Sequence, residues 1–440
     1  MTEEFLQYIW KHGLTGKTGL QTSEGKSLEI IKLGIHNRDA GPDFFNARLI
    51  IDGIHWAGNV EVHIKSSAWG QHKHQFDEAY RNVILHVVWE DDEPVFRSDK
   101  SPIPALELKS IIPQSLLDRY TSLRYSSKEI PCGAEIKNID SILLHSWMER
   151  LVAERLERKG DAIALKLNNT INDWEEVFYH TLLTSLGNPV NSMPFELLAT
   201  FAPVKLILKH GRNLMETEAL LFGQAGMLNG NFTEDYPRKL QKEYLYQKHK
   251  LNLTPMEGAE WKFARIRPFN FPSLRIAQAA AIIQGNAPLF RKVIEARGIN
   301  DIIKLFSATP SEYWHTHYRF VTPGKTKATG QQPKKPEKPG ETGNGVMGIS
   351  TLNMLIINAV VPILFMYGKS TFNDDLCRKA LNLLHGLKPE KNSLTDDWEH
   401  LGIKAADAYD SQALIELRKS FCNEKRCVHC AVGHQVMKKR

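Results

Sequence analysis

The stretch "GPDFFNARLIIDGIHWAGNVEVH", Gly41 to His63, reads as two β-strands joined by a tight turn. "FNARLIIDG" and "IHWAGNVEVHI" are rich in β-branched and aromatic residues, and the Asp52-Gly53 pair where they meet favours a two-residue hairpin. Side chains two positions apart share one face of a strand. Glu61, His63 and Lys65 therefore fall together, with Val60, Val62 and Ile64 on the other face. Hairpin pairing carries Asp43, near the start of the first strand, toward Glu61.

Two carboxylates brought together in this way can hold a divalent cation such as Mg²⁺ or Mn²⁺, which neutralises a phosphodiester and activates water. Asp43 and Glu61 are the expected ligands, and His63 or Lys65 is the expected group that positions or deprotonates the water. The plainer alternative is a solvated or ion-paired sheet face on which Asp43 caps a turn.

Beyond the hairpin lies "SSAWGQHKHQFDEAYR", in which Ser66 or Ser67 can cap a helix. On that helix His74, Asp77 and Tyr80 line one side, and with His72 they form a polar cluster suited to holding substrate. A different hydrolase with His63, His72, His74 and Asp77 around a metal is another expectation for the same residues. His86, inside the apolar run "VILHVV", reads as a satisfied core histidine.

Working outward, the spacing predicts a helix over "TEEFLQYIWKHGL", then strands "LEIIKLG", the hairpin, and "NVILHVVWEDD". Residues 1–125 are thus a mixed α/β (α+β) domain. Residues 126–323 read as a helical domain, with Trp147, Leu151 and Leu156 on one stripe of a long helix whose charged face is solvated. Residues 324–345, rich in Gly, Pro and Lys, read as a linker loop. Residues 346–440 are expected to be helical and to end in a cysteine cluster.

The chain has 440 residues, 42% hydrophobic and 24% charged, with a net charge of +6. That is enough length for more than one core, and a mildly basic balance compatible with a nucleic-acid partner. "LNMLIINAVVPILFMYG", interrupted by two asparagines and a proline, reads as a buried helix and not a membrane span. The opening "MTEEFLQYIW" has no basic stretch before an apolar run, and the five cysteines are an odd number, so the cytoplasm is the expected compartment.

"FCNEKRCVHCAVGH" places Cys422, Cys427 and Cys430 at a spacing that lets neighbouring thiolates meet one zinc ion or one iron–sulfur cluster. Candidates for a fourth ligand are Cys132, His429, His434 and Cys377; Cys132, in a Pro-Cys-Gly turn, is the preferred one. The alternative is a set of reduced cysteines in a terminal helix. "WKFARIRPFNFPSLRIAQ" interleaves Arg265, Arg267 and Arg275 with aromatics, a pattern that stacks and neutralises single-stranded nucleic acid. Its plainer reading is a loop that packs those aromatics into the helical core.

These segments, together with "RIRPFNFPSLRIA" and "SQALIELRKSFCNEKRCVHCAVG", resemble an uncharacterised bacterial family catalogued only as a domain of unknown function. The resemblance runs along nearly the whole chain. Residues 1–95 further resemble PD-(D/E)xK nucleases, a restriction-endonuclease-like fold. That likeness implies Asp43 and Glu61 as metal ligands, a loose match for Glu4 on the first helix, and a clasp of one early and three late cysteines. His63 stands where the pattern has lysine, which puts the catalytic role of that position in doubt. The functional expectation is a metal-dependent nuclease acting on DNA or RNA. A nucleic-acid-binding or scaffold protein that keeps the fold without the chemistry is the alternative.

Overall fold

A computed structural model of the chain describes residues 1–187, 189–257, 261–321 and 345–438. Most of the stretch read as a linker, 324–344, and the last two basic residues lie outside them. The architecture is mixed α/β: an N-terminal sheet region followed by a mostly helical body. The chain divides into two compact units, 1–147 with 417–440, and 148–416. This differs from the division expected from the sequence. Residues 346–416 belong with the helical body, and the last two dozen residues belong with the sheet.

The first unit opens with helix α1, Glu3–Lys11, whose N-terminus is capped by the Thr2 hydroxyl accepting from the Phe5 N–H. Phe5, Leu6, Ile9 and Trp10 form its buried stripe. The sheet follows: β1 Leu20–Gln21, β2 Ser27–Lys32, β3 Ile35–His36, β4 Phe44–Ile51, β5 Ile54–Lys65, β6 Val83–Glu90 and β7 Ala105–Glu107. Its order is β1-β2-β4-β5-β6-β7, with β3 also paired to β4.

β4 and β5 are the antiparallel hairpin read from the sequence, with Ile51 opposite Ile54 and both turn residues, Asp52 and Gly53, at positive φ. This backbone is what an Asp-Gly turn favours. Near its other end the hairpin slips register between Phe44 and Ala47, where Asn46 sits at φ +57°. Such a bulge re-aims the strand end, and the strand end here is Asp43. β5 and β6 run parallel, as do β6 and β7. β6 is buried on both faces, which explains its unbroken apolar run.

The β5–β6 crossover is not the helix the sequence suggests. It contains one short helix, α2 Ala68–Gln71, and then two 3₁₀ turns, His74–Phe76 and Glu78–Tyr80. Ser66 and Ser67 donate their hydroxyls to Asp92 and do not cap α2. Helix α3, Gln114–Arg124, completes this part of the unit.

Helix α4, Ser141–Asn169, is followed by α5, Trp174–Leu186, and α6, Ser192–Phe201, and the second unit continues as helices. The apolar segment Ile349–Ser370 is long and apolar enough to cross a membrane by length and composition, yet 56% of its most apolar window is buried inside the protein. It is a core helix, widened by a π-turn at Ile356–Val360 just before Pro362. A proline has no N–H to give to the carbonyl four residues earlier.

Candidate metal centre

Asp43 and Glu61 meet across the β4–β5 ladder, where Phe44 faces Val60. The contact is reciprocal: the Asp43 N–H donates to Glu61 Oε2 at 3.0 Å, and the Val62 N–H donates to Asp43 Oδ2 at 3.0 Å. Asp43 Oδ1 accepts from the Gln7 amide of α1 at 2.8 Å. Glu3, one helical turn before Gln7, adds its charge to both carboxyls. The acidic residue that α1 contributes is therefore Glu3; Glu4 instead pairs with His429 at 2.5 Å.

Glu61 Oε1 points into a group of histidines. His63 Nε2 and His74 Nε2 each lie 3.6 Å from it. His72 Nδ1 lies 3.2 Å from His63 Nε2, and His63, His72 and His74 bring one ring nitrogen each within 4.8 Å of one another. The positive φ of Lys73, +61°, lets the chain turn sharply enough for His72 and His74 both to face inward. A metal bonded to nitrogen or oxygen at 2.0–2.1 Å with tetrahedral ligands has donor-to-donor edges of about 3.4 Å. The separations seen here are of that size.

Outer contacts hold the ring planes. His63 Nδ1 is 2.8 Å from His86 Nε2, with both residues buried. If His63 offers the Nε2 lone pair to a cation, its proton sits on Nδ1 and His86 accepts it. His74 stacks on Tyr80, ring centroids 3.8 Å apart. His74 Nε2 is buried and has no hydrogen-bond partner, an expensive arrangement unless a cation supplies the missing interaction.

The electrostatics agree with that deficit. Burial raises the Glu61 carboxyl well above the usual carboxylate range, and the neighbouring Asp43 raises it further. Burial also raises Asp43, against the opposing effect of its bonds from Gln7 and Val62. Burial first, and then the neighbouring rings, push His63 down to about 2, His86 to about 3 and His74 to about 4. At neutral pH the imidazoles keep free lone pairs and the carboxyl pair resists carrying two charges. Both features suit a cation arriving between them.

Several expected site residues lie elsewhere. Lys65 shares the strand face of Glu61, but its side chain is over half exposed and faces Asp92 at 3.6 Å. Asp77 is exposed and caps a turn by accepting from the Ala79 N–H. It is spent on backbone geometry and is not among the converging donors. Arg275 is buried, and its guanidinium donates to Asn270, Gln278 and Thr351. It braces a helix and cannot stack on a base. Arg265 and Arg267 are exposed on the loop before that helix, in the second unit. His86, read as a core histidine, is both buried and the partner that orients His63. Its only sequence signal is a polar residue inside the apolar run "VILHVV".

The family described as "Protein of unknown function (DUF2851)" matches residues 3–393. The chain belongs to this family. No curated protein and no solved structure matches it. The family match takes in every residue of the carboxylate and histidine group.

In this DUF2851 chain the first unit also gathers four cysteines. Cys132, Cys422, Cys427 and Cys430 are free and buried. Cys132 lies after α3, Cys422 ends a π-turn, and Cys427 and Cys430 flank a 3₁₀ turn before the helix Ala431–Lys438. They are electrostatic neighbours: Cys427, Cys430 and Cys132 all bear on Cys422, and Cys430 and Cys427 on Cys132. Burial, then these thiols, raise Cys132 to about 12; burial, then Cys430, raise Cys427 to about 11. Arg418 lies by Cys422, and Lys425 and Arg124 by Cys427, so positive charge is on hand for thiolates. Cys377, by contrast, sits in a helix of the second unit, where its thiol faces the Phe365 carbonyl at 3.6 Å.

Proposed function

We propose that this protein is a metal-dependent phosphodiesterase of the nuclease kind, acting on DNA or RNA. The observation that carries the reading is Glu61. One of its carboxylate oxygens is tied to Asp43, and the other stands 3.6 Å from both His63 Nε2 and His74 Nε2. A divalent cation held there supplies charge neutralisation on the scissile phosphate and a water made acidic enough to attack. Glu61, His63, His72 and His74 are the direct donors, and Asp43 sits beside them as a further acceptor. His86 holds the His63 ring, and Tyr80 holds the His74 ring.

The donor chemistry refines which ion fits. Carboxylates alone suit Mg²⁺, whereas three imidazoles with one carboxylate suit Mn²⁺, Zn²⁺ or Fe²⁺. The nuclease reading draws on the strand arrangement, with an aspartate at the start of one strand and Glu-x-His on the next, and on the PD-(D/E)xK resemblance of residues 1–95. His63, in the lysine position, acts here as a metal donor and not as a fixed positive charge.

The four buried cysteines are proposed as a second, structural centre. A tetrahedral zinc–thiolate site has sulfurs about 3.8 Å apart. Among the described residues the donor group drawn within 4.8 Å is the histidine trio, so no three of the sulfurs are gathered that tightly. Zinc and an iron–sulfur cluster both remain the proposed occupants.

The deciding experiment measures cleavage of single- and double-stranded DNA and RNA with Mn²⁺, Zn²⁺ or Mg²⁺, for the native protein and for Glu61→Gln. Cleavage with Mn²⁺ or Zn²⁺ that vanishes in the variant supports the reading. Equal cleavage in both would sink it. Metal-dependent nucleic-acid binding without cleavage would favour the non-catalytic alternative.

A further inference from the structure

The helix Asp235–Leu251 of the second unit buries Pro237, Leu240, Tyr244 and Gln247 on one side. Its other side carries Arg238, Lys242, Tyr246 and Lys250, all exposed and spaced four residues apart. Residues four apart are neighbours on a helix surface, so these four side chains form one row. We propose that this row docks single-stranded nucleic acid, with phosphates on its cations and a base stacked on Tyr246. The occupant rests on the nucleic-acid reading above, whereas the surface itself does not involve the metal centre.

The charge of the helix is out of proportion to its length. Five lysines and arginines stand against two carboxylates, a net +3 that is half of the chain's formal +6. A charged helix face is ordinarily a solvated one laced with ion pairs, and other helices here follow that rule. Arg150 pairs with Glu154, and Arg291 with Glu295, each one turn away. On this helix both carboxylates are already engaged: Asp235 with Lys239 at 2.7 Å, and Glu243 as acceptor from the Gln247 amide. Lys242 has Arg238 four residues before it and Tyr246 four after, so the sequence offers it no carboxylate at that spacing. Among the described residues neither Lys242 nor Lys250 makes an ion pair. Like charges one turn apart oppose helix formation. The helix dipole favours the basic residues of the last turn, but Lys242 lies too far from it to benefit.

Tyr246 narrows the kind of polyanion. Its side chain is 57% exposed, and Lys250 Nζ stands 5.6 Å from the ring centroid. An exposed ring set among cations holds a single strand without reading its sequence, because every base has a face to stack and every nucleotide a phosphate to neutralise. The row rises about 6 Å per step, so it follows a backbone and is not a point site. A duplex keeps its bases stacked on one another and leaves none for Tyr246. An anionic membrane calls for a broad apolar face beside the charge, and here Leu245 and Tyr246 are two residues among cations.

The test titrates the full chain into labelled oligothymidylate, and into a duplex of the same length, by fluorescence anisotropy in EDTA, so that no metal at Glu61 takes part. The native protein should prefer the single strand, with an affinity that falls steeply as salt rises. Lys242→Glu combined with Lys250→Glu should weaken binding by about tenfold or more and flatten the salt dependence. Tyr246→Ala should weaken it by about tenfold, and Tyr246→Phe should not. Lys388→Glu combined with Lys391→Glu, an equal charge change at exposed positions outside this helix, should alter little. Thermal melts establish that each variant is folded. Equal effects of the two double variants, tighter binding of the duplex, or binding of phosphatidylglycerol vesicles but not of the oligonucleotide, overturns the proposal. An unaffected Tyr246→Ala overturns the stacking contact. Metal-dependent cleavage by a native protein whose binding the helix variants leave unchanged removes this surface alone. A native protein that neither binds nor cleaves nucleic acid removes the nuclease reading with it.

Discussion

Glu61 is held where burial and the neighbouring Asp43 disfavour its charged form. It is 5% exposed and adjacent to a second carboxyl, so removing its charge should help the metal-free protein and ruin metal binding. Glu61→Gln is expected to melt at or above the native temperature without metal. It should lose at least about a hundredfold in Mn²⁺ affinity, since even outer-shell changes cost 10- to 100-fold. Thermal melts with and without Mn²⁺ check both halves. The histidines set the pH dependence. His63, His74 and His86 have folded values below their ordinary 6.5, so the unfolded chain binds more protons in that range. Their stabilisation is present above pH 6.5 and is lost as pH falls toward 4. Asp43 and Glu61 have raised values, so their contribution is lost as pH rises above the ordinary carboxylate range. The metal-free melting temperature should therefore peak near pH 6.5. Mn²⁺ should remove the decline on the alkaline side, because it binds the ionised carboxylates and releases their protons. A melting temperature flat from pH 4 to 9 would contradict this account.

At the level of elements, the site depends on how closely β5 lies against β6. Gly58 sits where a Cβ would come within 2.5 Å of the Asn82 carbonyl and of Ile84 Cγ2. Gly58→Ala must push the two strands apart at the end nearest Glu61. It is expected to cost about 1–3 kcal/mol and to weaken metal binding, measured by chemical denaturation and by Mn²⁺ titration. The strands themselves were legible: alternation placed Glu61 and His63 on one face, and Asp-Gly marked the hairpin. The crossover was not. "WGQHKHQFDEAY" has residues spaced as on a helix, but Lys73 turns left-handed and Asp77 makes an Asx-type cap, which break it into turns. Those breaks are what bring His72 to His63 and His74 to Glu61, an outcome that periodicity alone does not encode.

On the scale of the molecule, the sheet unit is built from both ends of the chain. Its closing segment is pinned by Tyr8 to His434 at 2.6 Å, by Lys425 to the Lys128 carbonyl at 2.8 Å and by Arg418 to Glu129. Ending the chain after Glu416 should leave the helical unit folded and unfold the sheet unit, visible as loss of one of two calorimetric transitions. If the four thiols hold the proposed zinc or iron–sulfur centre, Cys132→Ser should remove the bound metal and lower the melting of the sheet unit, with the helical unit unaffected. Retained metal and an unchanged transition would show that the thiols are not ligands. The sequence by itself determined the β4–β5 hairpin, the shared face of Glu61 and His63, the helical body and the spacing of the late cysteines, because each is set by residues a few positions apart. Only the tertiary structure decided that Glu3 and not Glu4 faces the carboxyls, that His86 orients His63, that Lys65 turns to Asp92, and that Cys132 lies beside Cys422 and Cys430. Those outcomes depend on contacts between residues tens to hundreds of positions apart, which the packing of the whole unit chooses and local pattern does not.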